Sequence, residues 1–171
     1  MVIRGPEPAD EVAIARFFAA LVTAGDSQTF LSHSFTAREA YHLARRFCPE
    51  GQPTEDVYRF GFARGEAVAY GMLRGGDEGF AEPSIGIAVH PDFRGRGLAR
   101  QMITQLHDLA RLRGAKLVRL KVYRDNTAAV GLYQKLGYIL TPHDEAQWLG
   151  RLSLTAGATP NLANSLPQKA A

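Results

Sequence analysis

The sequence predicts a mixed α/β fold, one sheet flanked by helices, in a single domain over 1–154. Three observations carry this. Short runs at 57–63, 67–74 and 84–89 alternate as strands do, and in the last Ile85, Ile87 and Val89 share one face while the small Gly86 and Ala88 share the other. A long segment, 97–113, instead repeats with helical period: Leu98, Met102, Leu106, Leu109 and Ala110 form one stripe, and Gly114 follows as a terminator. Strand-like and helix-like segments then interleave along the chain, which is the pattern of a sheet covered by helices.

In order, residues 2–4 form a short strand. Residues 8–22 read as a helix in which Val12, Ala15, Phe18 (or Ala19) and Val22 recur on one face. Residues 26–35 are irregular. A second helix begins at Thr36, with Glu39 three residues on as in a capping box, and runs to about Phe47. Two prolines make 48–56 a loop. Arg64-Gly65-Glu66 turns one strand into the next, and 75–79 is a glycine-rich acidic loop. After the long helix come a strand at 116–123, a short helix capped by Asn126 and ending at Gly137, and strands at 138–140 and 148–154. Residues 155–171, rich in Ala, Pro, Asn and Gln without periodicity, are expected to form a flexible tail.

The chain has 171 residues, 46% of them hydrophobic, enough for one full core. It holds no apolar run long enough for a membrane span and no apolar leader, so neither membrane nor secretion is expected. The lone Cys48 excludes an internal disulfide and suits the cytoplasm; in Arg46-Phe47-Cys48-Pro49 it reads as filler rather than nucleophile. A net charge of +3, carried mostly by arginines with no basic–aromatic run, does not call for nucleic acid but suits a small anion.

The most informative stretch is Val89-His90-Pro91-Asp92-Phe93-Arg94-Gly95-Arg96-Gly97-Leu98-Ala99: a strand end, an Arg/Gly turn and a helix start. Glycines admit close approach of the backbone, and the free N–H groups, helix dipole and two arginines favour a pyrophosphate. The turn lacks the Lys-Ser/Thr of a P-loop, and Arg100 stands where a dinucleotide fold needs its third glycine.

The chain resembles the GCN5-related N-acetyltransferase (GNAT) family in two segments. Arg94-Gly95-Arg96-Gly97-Leu98-Ala99 is similar to the family's Q/R-x-x-G-x-G/A motif, and Asn126 through Leu132-Tyr133 to Lys135-Leu136-Gly137-Tyr138 to its second motif. The resemblance implies a mostly antiparallel mixed sheet in which two strands splay to hold acetyl-CoA. Pantetheine would lie along Ile87, Ala88 and Val89, with the Val89 amide near the acetyl carbonyl. Pyrophosphate would lie on Arg94 to Ala99. Asn126 would hold pantetheine or order the helix start. Tyr133 would protonate the departing thiolate. Neither oxidation nor a metal is implied, and a homodimer is compatible with the family.

Each residue has a plainer reading. Tyr133 lies beside Leu132 and Leu136 and by itself reads as a core aromatic; Asn126 reads as a cap; Arg94 and Arg96 read as surface charges. For the general base the resemblance points to Glu82, with Asp77, Glu78 and His33 as alternatives. Phe30, His33, Phe35, Glu78 and Phe80 are the candidate acceptor residues, and the acidic Asp77-Glu78 pair would suit a cationic acceptor.

The leading expectation is therefore direct acetyl transfer from acetyl-CoA to a primary amine of a small molecule: an amino sugar, aminoglycoside-like compound, polyamine or amino acid. A protein N-terminus or lysine as acceptor, and a non-catalytic acetyl-CoA sensor, are the alternatives.

Overall fold

The computed structural model describes residues 1–28, 33–46 and 55–155. The chain runs β1 (Val2–Arg4), α1 (Glu11–Thr23), α2 (Ala37–Arg45), β2 (Val57–Ala63), β3 (Glu66–Arg74), β4 (Ser84–Val89), α3 (Leu98–Leu112), β5 (Leu117–Tyr123), α4 (Thr127–Lys135), β6 (Ile139–Pro142) and β7 (Gln147–Ser153), with single 3-10 turns at Pro8–Asp10, Asp26–Gln28 and Pro91–Phe93. The strands form one seven-stranded sheet in the order β1-β2-β3-β4-β5-β7-β6. Every pairing is antiparallel except β4 with β5, which is parallel. Cys48 and the tail beyond Thr155 lie outside the described residues.

Cross-strand partners share a face, so the register sorts the side chains. Tyr70 and Met72 of β3 face α1 and α2, and with Phe60, Ile14, Phe17, Phe18, Leu21 and Leu43 they make one core. Ile85 of β4 and Val118, Leu120 and Val122 of β5 face α3 and α4, where Met102, Ile103, Leu106 and Ala110 close a second core.

The burial of α1 corrects one expectation. Val12 and Val22 are 61% and 47% exposed, while Ile14, Phe17, Phe18 and Leu21 are buried. The apolar residues of this helix fit two helical registers. The larger area of the phenylalanines, at about 25 cal/mol per Å², decides which one turns inward.

Both helices around the site end as their glycines require. Gly114 and Gly137 have φ of +79° and +89°. The N–H groups of Ala115 and Tyr138 donate back to the Ala110 and Tyr133 carbonyls, each at 3.0 Å. At α4 this closure folds Tyr138 back onto Tyr133.

Candidate active site

β4 and β5 touch at one end only. Their register consists of a single pair, Ser84 with Arg119, and the Arg119 N–H donates to the Pro83 carbonyl at 3.0 Å. Beyond it the strands part and leave a cleft of about 1500 Å³ lined from both sides of the sheet. The His90 N–H donates to the Val68 carbonyl of β3 at 2.9 Å. By the two-residue period, Ala88 and Gly86 also point their main-chain groups at β3, while those of Ile87 and Val89 point into the cleft. Of the expected strand contacts, Ile87 and Val89 thus offer main-chain hydrogen bonds, whereas Ala88 offers only its side chain to the cleft wall. A row of main-chain groups without a strand partner is what a linear amide-bearing ligand would pair with.

At the cleft mouth, Gly95 and Gly97 have φ of +73° and +77°, and a Cβ on either would meet nothing within 4 Å. The glycines are required there by backbone conformation, not by crowding. Gly97 is the N-cap of α3, so the N–H groups of Leu98, Ala99 and Arg100 open toward the cleft with no carbonyl in the preceding turn to accept them. Arg94 crosses this mouth: its Nε donates to the Val89 carbonyl at 3.2 Å, and its guanidinium is ion-paired with Asp26. Arg96 donates to the Asp92 carbonyl at 3.0 Å and packs over Phe93. The turn thus fits a pyrophosphate, with one arginine already engaged by a carboxylate that sequence reading did not single out.

On the α3–α4 side, Asn126 Oδ1 accepts from the Ala129 N–H at 3.1 Å, fixing the start of α4. Tyr133 is 6% exposed and lines the cleft, with its ring edge-on to Tyr138 at 5.5 Å between centroids. Burial raises its phenol pKa well above the ordinary value, so the hydroxyl holds its proton at neutral pH. Behind it, Tyr138 Oη and His107 Nε2 share a buried hydrogen bond of 2.7 Å.

The acceptor and base expectations fare differently. Phe30 lies outside the described residues. Phe35 is buried against Phe18, ring centroids 5.0 Å apart, and belongs to the α1–α2 core rather than to a pocket wall. His33 shares a 2.7 Å hydrogen bond with Tyr70 Oη, and burial lowers its pKa. Glu78 pairs with Arg74 at 3.8 Å; Asp77 pairs with Arg46 at 2.8 Å and accepts from the Glu55 N–H. The acidic pair is thus answered by Arg46 at the end of α2 and Arg74 at the end of β3. Phe80 is 54% exposed and carries the Arg119 guanidinium 5.4 Å from its ring centroid. None of His33, Phe35, Glu78, Asp77 and Phe80 lines the cleft, because side chains close in sequence were folded onto the α1–α2 core and the β3–β4 loop instead. Glu82 stands two residues before Ser84, just past the closed end of the cleft, and pairs with Arg151 at 3.6 Å.

The floor of the cleft on the side away from α3 went unread in the sequence. Arg119, Lys121 and Tyr123 of β5 and Gln147 and Leu149 of β7 form it, adjacent across the strand register. Alternation with Val118, Leu120 and Val122 marks them as a separate face.

The comparisons with known proteins agree with this geometry. The model of the acetyltransferase (GNAT) family matches residues 26–138. The acetyltransferase ECA0875 of Pectobacterium atrosepticum is 39% identical over 83 residues, 48% of this chain and 57% of the relative, so the chain spans little more than half the length of that curated protein. Among solved structures, yncA of Salmonella typhimurium with its cofactor acetyl-CoA superposes with a TM-score of 0.68 at 21% identity, covering 95% of this chain and 98% of that one. The GNAT domain of S. lividans PAT gives 0.70 at 16%, covering 88% and 89%. The ribosomal-protein-S18-alanine N-acetyltransferase of Escherichia coli gives 0.63 at 20%, covering 92% and 96%. At these identities the structures establish the shared fold.

Proposed function

The chain belongs to the acetyltransferase (GNAT) family, and on that premise we propose that it transfers an acetyl group from acetyl-CoA to the primary amine of a small molecule. The observation that carries the reading is the parting of β4 from β5 beyond the single Ser84–Arg119 pair, with the glycine turn at its open end. Acetyl-CoA supplies the thioester whose carbonyl carbon the amine attacks. The turn from Arg94 to Ala99 holds the pyrophosphate through main-chain N–H groups and the α3 dipole. The edge of β4 at Ile87 and Val89 pairs with the amides of the pantetheine arm, and the Val89 N–H polarises the reacting carbonyl.

Tyr133 is the general acid. A protonated phenol in the cleft wall delivers its proton to the sulfur as the carbon–sulfur bond breaks, which gives free thiol and the acetylated amine. Glu82 is the proposed base. It stands two residues before β4, and removal of the ammonium proton from that position runs through water, because its carboxylate stands beyond the cleft lining.

The testing experiment follows free-thiol release from acetyl-CoA across amines, amino sugars, amino acids and peptides, with calorimetric acetyl-CoA binding alongside. Release with a small amine bears the proposal out. Release only with peptides moves the acceptor to proteins, and binding without any release leaves a sensor.

A further inference from the structure

One buried polar side chain in the cleft lining has no partner. Gln147 opens β7, is 8% exposed and lines the cleft, yet among the described residues its side-chain amide makes no hydrogen bond. A carboxamide has one acceptor oxygen and two N–H donors, and burying it unanswered is costly. The main chain that carries it is firmly held. Asp144 Oδ1 accepts from the Ala146 N–H at 2.9 Å and from the Gln147 N–H at 2.8 Å, and the Gln147 carbonyl accepts from the His143 N–H at 3.0 Å. Arg124 donates to the Asp144 carbonyl at 2.7 Å and lies over the Trp148 ring. The turn between β6 and β7 thus satisfies its own polar groups and leaves the Gln147 amide to the cleft.

Gln147 stands level with the reacting carbonyl. The parallel strands β4 and β5 are in step at Ser84 and Arg119, so Val89, five residues on, is level with Arg124. Tyr123, the cross-strand partner of Gln147, is one residue away, about 3.3 Å of strand. The strands have parted by this point, so the register gives the level and the cleft gives the separation. His143 continues the row beyond Gln147, and all three side chains line the cleft. Tyr123 alternates with Val122, which packs toward α3, so the row lies on the other face of the sheet, with Gly86 and Ala88. The glycine turn and Tyr133 take the cofactor from the α3 side. The amine therefore reaches the thioester from the face that carries this row, where the small side chains of Gly86 and Ala88 leave room.

We infer that Gln147, flanked by Tyr123 and His143, recognises a neutral group that both donates and accepts hydrogen bonds, a hydroxyl or an amide, carried by the acceptor beside its amine. The inference rests on the acetyl-transfer reading above. Such a group answers the carboxamide in both directions at once. A carboxylate can only accept and a second ammonium can only donate, so either leaves half of the Gln147 amide unpaired and gives up its own hydration as well. Formal charge beside the row does not favour either ion. Lys121 and Asp125, of opposite sign, stand two residues to either side of Tyr123, and both are exposed. Asp26 is paired with Arg94. Leu149, next to Gln147 on this face at the partner position of Lys121, gives apolar surface for the carbon skeleton.

The test runs the thiol-release assay on short primary amines that end in a hydroxyl, a carboxamide, a carboxylate, an ammonium or a methyl group, with glucosamine as a larger hydroxyl-bearing amine. Rates are referred to the free-base form of each amine. The expected result is kcat/KM ~10- to 100-fold higher for the best hydroxyl- or amide-bearing amine than for its methyl-, carboxylate- and ammonium-ended counterparts, and the hydroxyl and amide arms tell the two sources apart. Gln147→Leu collapses that ratio to within about threefold, while calorimetric acetyl-CoA affinity stays at the wild-type value and reports an intact fold. Tyr123→Phe, which keeps the ring, narrows the ratio, and Gln147→Glu shifts preference toward the ammonium-ended amine. Equal use of the methyl-ended amine by the wild type, preference for a charged end, or a ratio that survives in Gln147→Leu overturns the Gln147 assignment and leaves acetyl transfer standing. Absence of release from the whole panel overturns both readings.

Discussion

Arg94 of the glycine turn is ion-paired with Asp26, at the end of α1 and 68 residues earlier in the chain. The pair ties the α1 end of the fold to the mouth of the cleft, and it sets a carboxylate against the group best placed to meet a pyrophosphate. A bound phosphate must therefore compete with Asp26 for the guanidinium. Asp26→Asn is expected to tighten acetyl-CoA binding about two- to fivefold at low ionic strength, with the gain shrinking as salt rises. Calorimetry at two salt concentrations measures it. Weaker binding in the variant would assign Asp26 the opposite role, that of holding Arg94 in position.

Tyr133 is buried, protonated and in the cleft wall, so its hydroxyl is separable from its ring. Tyr133→Phe keeps the packing on Tyr138 and is expected to lower kcat by about 100-fold or more, with the acetyl-CoA dissociation constant within about twofold of wild type. An unchanged kcat would return Tyr133 to the core role that its neighbours Leu132 and Leu136 suggest.

Asp56 is 2% exposed and ties down the acidic loop: its Oδ1 accepts from the N–H groups of Gly75 at 2.9 Å and Gly76 at 3.1 Å. Arg74 stands 3.5 Å from its other oxygen. Asp56→Ala leaves these donors buried and a cation without that carboxylate, and is expected to cost about 2–4 kcal/mol in urea unfolding. A loss under about 0.5 kcal/mol would show that water replaces the carboxylate at no cost.

His107 is buried against Tyr138, and burial lowers its pKa from the ordinary 6.5 to about 4; Arg111 adds to the lowering and Asp108 opposes it. The unfolded chain therefore binds a proton between pH 6.5 and 4 that the folded chain refuses. Stability is complete above about pH 6.5 and falls as pH drops toward 4, by up to about 3 kcal/mol from this residue. His107→Gln keeps a hydrogen-bonding group beside Tyr138 and does not titrate. The drop in Tm between pH 7 and pH 5 is expected to be smaller in the variant than in wild type. Equal drops would place the acid sensitivity elsewhere, His33 being the other histidine with a lowered pKa.

Much of this site is local and so was legible in sequence. A turn that needs positive φ at Gly95 and Gly97, a cap at Asn126 and a terminator at Gly137 are each decided within a few residues, because backbone sterics and short hydrogen bonds act at that range. The two motif segments, and most strand and helix positions, follow from such signals. The face of α1 did not, since Val12 and Val22 fit the helical period as well as Phe17 and Phe18, and only packing against β3 chooses between them. Nor did the acceptor side. Phe35 reads as a pocket aromatic and is a core residue, while Arg119 and Lys121 read as the polar face of a strand and form the cleft floor.

By itself, then, the sequence specified the elements, the glycine turn and the placement of Tyr133 in the last turn of a short capped helix. Tertiary structure alone decided that β4 and β5 part after one pair, that Asp26 reaches Arg94, and that the β5 face carrying Arg119 lies open. The first group depends on interactions between near neighbours in the chain. The second depends on which long-range contacts the sheet makes or omits, and an omitted pairing between two good strands leaves no mark in either one's sequence.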